Sequence, residues 1–138
     1  VSVYYDNVTT AFTYKYIVGK RHYLEDNPSA ELLETACRKA DFVFRDEMAK
    51  AKLDKKAQQF FAVMTNVRTV GVKNNARTYG YVIAIRAVST SQFVKAGIVE
   101  LPFKFVTKVA EKIATTVKGV NRVVWDITPK PPAPIEWE

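Results

Sequence analysis

Gln59-Phe60-Phe61-Ala62-Val63-Met64-Thr65-Asn66-Val67-Arg68-Thr69-Val70-Gly71-Val72, then Lys73-Asn74-Asn75-Ala76, then Arg77-Thr78-Tyr79-Gly80-Tyr81-Val82-Ile83-Ala84-Ile85-Arg86-Ala87-Val88 is the stretch that decides the fold. Its outer segments read as extended, and Tyr79, Tyr81, Ile83 and Ile85 recur at the period of two that a strand imposes on its side chains. Asparagine tolerates positive φ better than most residues, so Lys73-Asn74-Asn75-Ala76 reads as a hairpin turn joining two antiparallel strands. Ser89-Thr90-Ser91-Gln92 reads as the close of the second strand.

Working outward, a helix is expected on each side of this hairpin. Upstream, Asn27 is an N-cap candidate, Pro28 suits the first helical position and Glu31 lies in the first turn. Leu32, Leu33, Ala36, Ala40, Val43, Phe44 and Met48 then recur at spacings of three and four, which predicts a helix over about 29–51. Downstream, Pro102 opens a second helix with a Val106, Val109, Ala110, Ile113 and Val117 stripe. Lys104, Lys108 and Lys112 form a row outside that stripe, read most simply as solvent-facing, and Gly119 is the natural stop. Val120 to Ile127 reads as a last strand. Pro129, Pro131, Pro132 and Pro134 exclude regular structure beyond it. At the other end, Phe12 to Val18 alternates like a half-buried strand, and Asp6-Asn7 suits a hairpin bend before it. The fold class is therefore α+β: a two-layer domain of core order α-β-β-α-β, a mostly antiparallel sheet and an extra N-terminal β element. The chain reads as one domain over 1–138, with 1–27 an N-terminal extension, 28–128 the core and 129–138 an ordered proline-rich arm.

Composition bounds the function. The chain has 138 residues and 15.6 kDa, with 21 Lys+Arg against 14 Asp+Glu, a formal net charge of +7. Apolar runs such as Tyr81 to Ile85 end in charges far short of the roughly 20 residues that cross a bilayer, so no membrane partner is expected, and no signal peptide is read at the start. One cysteine, Cys37, permits no internal disulfide and fits a cytoplasmic location. With a single histidine, His22, the chain lacks the usual soft or borderline ligands, and no metal is expected. Cys37 reads as a buried helix residue and His22 as solvated. The scattered glycines form neither phosphate-binding loop. Nucleic acid binding would rest only on charge and on aromatics such as Tyr79 and Tyr81, which more often cover a core or an interface, so it is disfavoured.

The segment that resists a bland reading is the end, Lys130-Pro131-Pro132-Ala133-Pro134-Ile135-Glu136-Trp137-Glu138. Prolines lower the entropy lost on ordering, so such an arm can present Lys130 and Glu136 rigidly. A lysine clamps phosphate as a point charge, and a carboxylate accepts hydrogen bonds from a base edge or ribose hydroxyls. That is a nucleotide-monophosphate grip in outline.

With Gly119 to Thr128 before it, this tail resembles the end of the GMP synthase C-terminal domain almost letter for letter. Val67 to Val72, Arg77-Thr78-Tyr79, Tyr81 and Arg86-Ala87-Val88 are similar to a second block of that family. The likeness extends through Leu101-Pro102 and through Ala40-Asp41 and Arg45-Asp46-Glu47, over about 30–138. The resemblance implies a domain that forms a homodimer and completes a site for xanthosine monophosphate (XMP), which is aminated to GMP in an ATP-dependent ligase reaction of purine biosynthesis. Lys130 would meet the XMP phosphate and Glu136 its purine or sugar side, with Lys73 and Arg77 as further contacts. The partners it implies are the XMP or GMP nucleotide and the ATP-pyrophosphatase and glutamine amidotransferase domains or subunits. It implies no cofactor in this chain, ATP and Mg being held elsewhere, and no catalytic residue, so the chain alone is inactive. The alternative is a structural or regulatory dimer module that kept the fold and lost the nucleotide. Departures from the family pattern are Asn74-Asn75-Ala76 for Gly-Asp-Gly, Gly80 for Asp, the stretch Thr90 to Ile98, Pro129 for Ser and Pro134 for Thr. Proline at 134 offers neither hydroxyl nor N–H, which puts one expected contact in question.

Overall fold

A computed structural model of the chain describes residues 3–4, 30–92 and 95–137. Asn74 and Asn75 take φ of 52° and 61°, left-handed values that match a two-residue type I′ turn. Lys73 pairs with Ala76 across it. The turn joins strand β2 (Gln59–Lys73) to β3 (Ala76–Gln92). The pairing shifts register between Met64 and Arg68. Thr65 bridges the irregularity: its hydroxyl donates to the Val82 carbonyl at 2.6 Å and accepts the Val67 N–H at 3.2 Å.

The remaining elements are β1 (Val3–Tyr4), α1 (Ala30–Lys50), β4 (Lys95–Ile98), α2 (Phe103–Thr116) and β5 (Val120–Trp125). β1 lies antiparallel against Val63 and Met64. The other edge of β3 serves two partners in succession, β5 in parallel over Tyr81 to Ile85 and β4 antiparallel over Val88 to Gln92. The fold class agrees with the sequence reading, and the core order α-β-β-α-β is met with one strand added before the second helix. Ser89 to Gln92, expected to close β3, instead remain in it, and β4 is an element the reading lacked. The edge of β3 beyond β5 would otherwise be unpaired, and β4 covers it. The proposed hairpin at Asp6-Asn7, the strand at 12–18, His22, Asn27 and Pro28 lie outside the described residues.

Alternation along the strands builds two cores. Ala62, Met64, Ile83, Ile85 and Ala87 face the helices, meeting Leu33, Ala36, Cys37, Ala40, Phe44 and Met48 of α1 and Phe105, Val106, Val109 and Ile113 of α2. On the opposite face Phe61, Val63, Ala84 and Val88 join Ala96 and Ile135, which brings the C-terminal arm against the sheet.

The α2 lysines face solvent as read, Lys108 exposed and Lys112 partly so, but these two also reach a carboxylate on α1 that the reading did not foresee. Lys112 donates to the buried Glu47 carboxylate at 2.9 Å, and Lys108 lies 3.3 Å from its other oxygen. The i,i+4 spacing puts both on the side of α2 that meets α1. The Lys112 hydrogen bond first, and the Lys108 contact with it, hold the Glu47 carboxyl below its ordinary value against the effect of burial.

Asp41 ties α1 to β2. Its buried carboxylate accepts the Ala62 N–H at 2.9 Å and the Arg45 Nε–H at 2.5 Å. Burial pushes this carboxyl up to about 6, outweighing the Arg45 charge and both hydrogen bonds. An aspartate in the unfolded chain titrates near ~3.9, so between those values the folded state binds the extra proton. Wild-type stability relative to Asp41→Asn is therefore highest below pH ~4 and is lost as pH rises through about 6, by at most about 1.4 kcal/mol per pH unit. Urea unfolding of both proteins from pH 4 to 7 checks this. A flat or opposite difference refutes it.

Candidate functional site

The arm starts where β5 ends. Asp126 continues the ladder by donating its N–H to the Ile85 carbonyl, and its carboxylate accepts the Thr128 N–H at 3.0 Å, turning the chain. Lys130 and Ala96 then exchange both backbone hydrogen bonds at 2.9 Å, so the arm adds one β-bridge to the outside of β4. The Lys130-Pro131 and Pro131-Pro132 peptide bonds are cis. The Ala133 N–H reaches back to the Pro129 carbonyl at 3.1 Å. Ile135 drops into the second core beside Ala96. Trp137 donates its indole N–H to Asp126 at 2.9 Å.

Beneath the arm lies Arg86, with 0% of its surface exposed. Its Nε donates to the Ile135 carbonyl at 2.7 Å, Nη1 to that of Thr128 at 2.6 Å and Nη2 to that of Pro134 at 3.0 Å, while Asp126 stands 3.2 Å away. The Pro134 departure is thereby absorbed, because Arg86 uses the one polar group that proline keeps. The sequence reading placed no role on Arg86 or Asp126. The signal available was a lone arginine inside an apolar β-run, since a charge in a strand covered on both faces needs partners.

Lys130 and Glu136 are half-buried on this arm. Both are brought toward Ala96, Lys130 by its own backbone and Glu136 as the neighbour of Ile135. Among the described residues neither side chain has a hydrogen-bonding or ionic partner. Lys73 and Arg77 sit elsewhere, beside the β2–β3 turn, where the Lys73 ammonium approaches the Val120 carbonyl at 3.4 Å and Arg77 is exposed. β3 pairs near the arm through Thr90, and an extended strand from Arg77 to Thr90 is roughly 40 Å long at about 3.3 Å per residue. One chain therefore carries Lys130 and Glu136 on the same arm and leaves Lys73 and Arg77 at the far end.

That far end is apolar on its surface, with Val67, Val70, Val72 and Tyr79 exposed. The Arg68 guanidinium lies over the Tyr79 ring at 4.3 Å and near Tyr81 at 5.6 Å. Cys37 is buried and burial pushes its thiol far up, so it is poorly suited to act as a nucleophile. No helix among the described residues is long and apolar enough to cross a membrane.

A family model described as GMP synthase C terminal domain matches residues 46–137. The chain is 52% identical over 101 residues to a glutamine-hydrolysing GMP synthase of Finegoldia magna, covering 73% of this chain and 20% of the relative. It is 48% identical over 108 residues to that of Ruminiclostridium cellulolyticum, covering 78% and 21%. With that of Treponema denticola the identity is 50% over 101 residues, covering 73% and 19%. The chain thus spans about a fifth of the length of these curated relatives.

Proposed function

This chain belongs to the GMP synthase C-terminal domain family, and on that footing we propose that its arm completes an XMP site, with Lys130 on the phosphate and Glu136 on the purine or sugar side. The observation that carries the reading is an ordered arm, seated on the sheet, presenting one cation and one carboxylate without partners among the described residues. A lysine held this way gains most from a doubly charged phosphate, and the carboxylate accepts from N–H or O–H donors. The domain positions the nucleotide, and its partners, the ATP-pyrophosphatase and glutamine amidotransferase domains, supply ATP, Mg and ammonia in the ligase reaction in the cytoplasm. The exposed Val67, Val70, Val72 and Tyr79 are the surface a second copy would cover in a homodimer, and Lys73 and Arg77 beside them belong to that end rather than to the grip of the same chain.

The test is thermal unfolding with and without millimolar XMP. At about ten times Kd the melting temperature should rise by roughly 2–5 °C, and Lys130→Ala should remove the shift while leaving the unliganded melting temperature unchanged. No shift with the wild type overturns the nucleotide reading. A light-scattering mass equal to 15.6 kDa overturns the dimer.

A further inference from the structure

Beyond the single Lys130–Ala96 bridge and the Ile135 anchor the arm has no regular structure, and one side chain reaches its main chain at three points. Arg86 rises from the middle of β3 toward the sheet face opposite the helices, where a guanidinium is costly to bury unless its donors are matched. Three of its N–H groups find carbonyls of Thr128, Pro134 and Ile135, which flank the Lys130 turn on both sides. A guanidinium is planar and its donors diverge at fixed angles, so acceptors on it cannot slide independently. Asp126 closes the set, since the same carboxylate oxygen that lies 3.2 Å from Arg86 accepts the Trp137 indole N–H. Both ends of the arm are thus referred to one rigid group on the most central strand.

We propose that Arg86 is the positioning residue of the nucleotide grip: by binding the main chain on both sides of the arm, it sets the relative placement of Lys130 and Glu136 and with it XMP affinity. This rests on the arm being the XMP site. Arg86 contacts no nucleotide in this scheme; it acts through the fraction of molecules whose arm is seated. When the arm lifts, Arg86 becomes hydrated and the helix-side core is untouched, so unseating does not require unfolding. Apparent affinity falls in proportion to the seated fraction. Because only carbonyls are read, arm side chains at 128 and 134 are free to vary.

The experiment uses the full chain with Arg86→Lys, Arg86→Met and Lys130→Ala beside the wild type. Three quantities are measured: melting of the helices by circular dichroism, amide exchange at Ala96, Lys130 and Ala133 by NMR, and XMP Kd by calorimetry. Arg86→Lys, which keeps the charge but loses the fork, should leave the arm seated in only about a tenth of the molecules, so that those three amides lose nearly all protection and XMP weakens about 10-fold, and Arg86→Met should go further; affinity follows the seated fraction and exchange the unseated one. The helix melt should move little in Arg86→Lys. Lys130→Ala should lose XMP binding with exchange at Ala96 and Ala133 unchanged. If Arg86→Met fails to fold, Arg86→Lys decides. Unchanged exchange in Arg86→Lys overturns the seating role, and lost protection at those amides with wild-type XMP affinity overturns the link to binding. If Lys130→Ala binds XMP like the wild type, the arm is not the phosphate site and the proposed function fails instead, a result the exchange data leave separate.

Discussion

Phe44→Ala is expected to lower the unfolding free energy by about 3–5 kcal/mol, the range for removing a fully buried aromatic ring. Phe44 has no exposed surface and sits among the α1 residues that close over β2 and β3. Its ring meets Phe60 edge-on, with centroids 5.9 Å apart and planes at 80°, a geometry that adds to area burial. Phe60 is in turn covered by the Arg45 guanidinium at 5.3 Å, and Arg45 holds Asp41, so the hole would open beside the contact that ties α1 to β2. Collapse into that hole would require moving the helix against the sheet, which keeps the cost at the upper end. Urea unfolding measures it, and the melting temperature should fall by roughly 10 °C or more. A loss below about 1 kcal/mol would mean that α1 does not pack as described. Because the arm occupies the opposite face of the sheet, the XMP affinity proposed for it, measured well below the melt, should not change.

Gly80→Val is the second large effect, at about 2–3 kcal/mol, and its cause is overpacking rather than a cavity. A Cβ at Gly80 would stand 2.8 Å from the Gly119 carbonyl oxygen and 3.2 Å from the Asn121 side chain. The carbonyl is backbone, fixed by the hydrogen bond it accepts from Tyr81 at 2.8 Å, so relief means parting β3 from β5. Asn121 explains why the space exists: it reaches across β3 to donate to the Thr69 carbonyl of β2 at 2.8 Å. Gly71 is kept small for the same reason, since a Cβ there would meet Asn121 at 2.9 Å. Asn121→Ala removes the Nδ2 contact but keeps the Asn121 Cβ and leaves the Thr78 hydroxyl, each 2.9 Å from a Cβ at 71, so it should ease Gly71→Ala only in part and leave Gly80→Val as costly as before. Chemical denaturation of the two double mutants reads the difference, and full rescue of Gly80→Val would refute the backbone clash.

The turn at Asn74-Asn75 and the helix at Ala30–Lys50 were legible because each depends on neighbours a few residues away. The glycines at 71 and 80 carried no such signal. Their reasons lie about 40 to 50 positions downstream, the Gly119 carbonyl for Gly80 and the Asn121 side chain for Gly71, and no local pattern encodes a crossing of that kind. The α2 lysines show the same limit: period and charge placed them outside the apolar stripe, but the buried Glu47 that claims Lys108 and Lys112 belongs to another helix.

The candidate site divides along that line too. Lys130 and Glu136 could be picked from residue chemistry and from likeness to a family, both of which are written in the order of residues. That Lys73 and Arg77 stand at the opposite end of a long strand is a matter of register and direction, which only pairing decides. So is the role of Arg86. In the sequence it is one cation in an apolar strand. In the fold it becomes the fixed point of an arm more than forty residues later, because a buried guanidinium must find acceptors, and among the described residues the carbonyls it meets belong to the chain's end. Local periodicity thus determined the elements and their order, while long-range pairing and the need to satisfy buried polar groups decided which residues meet.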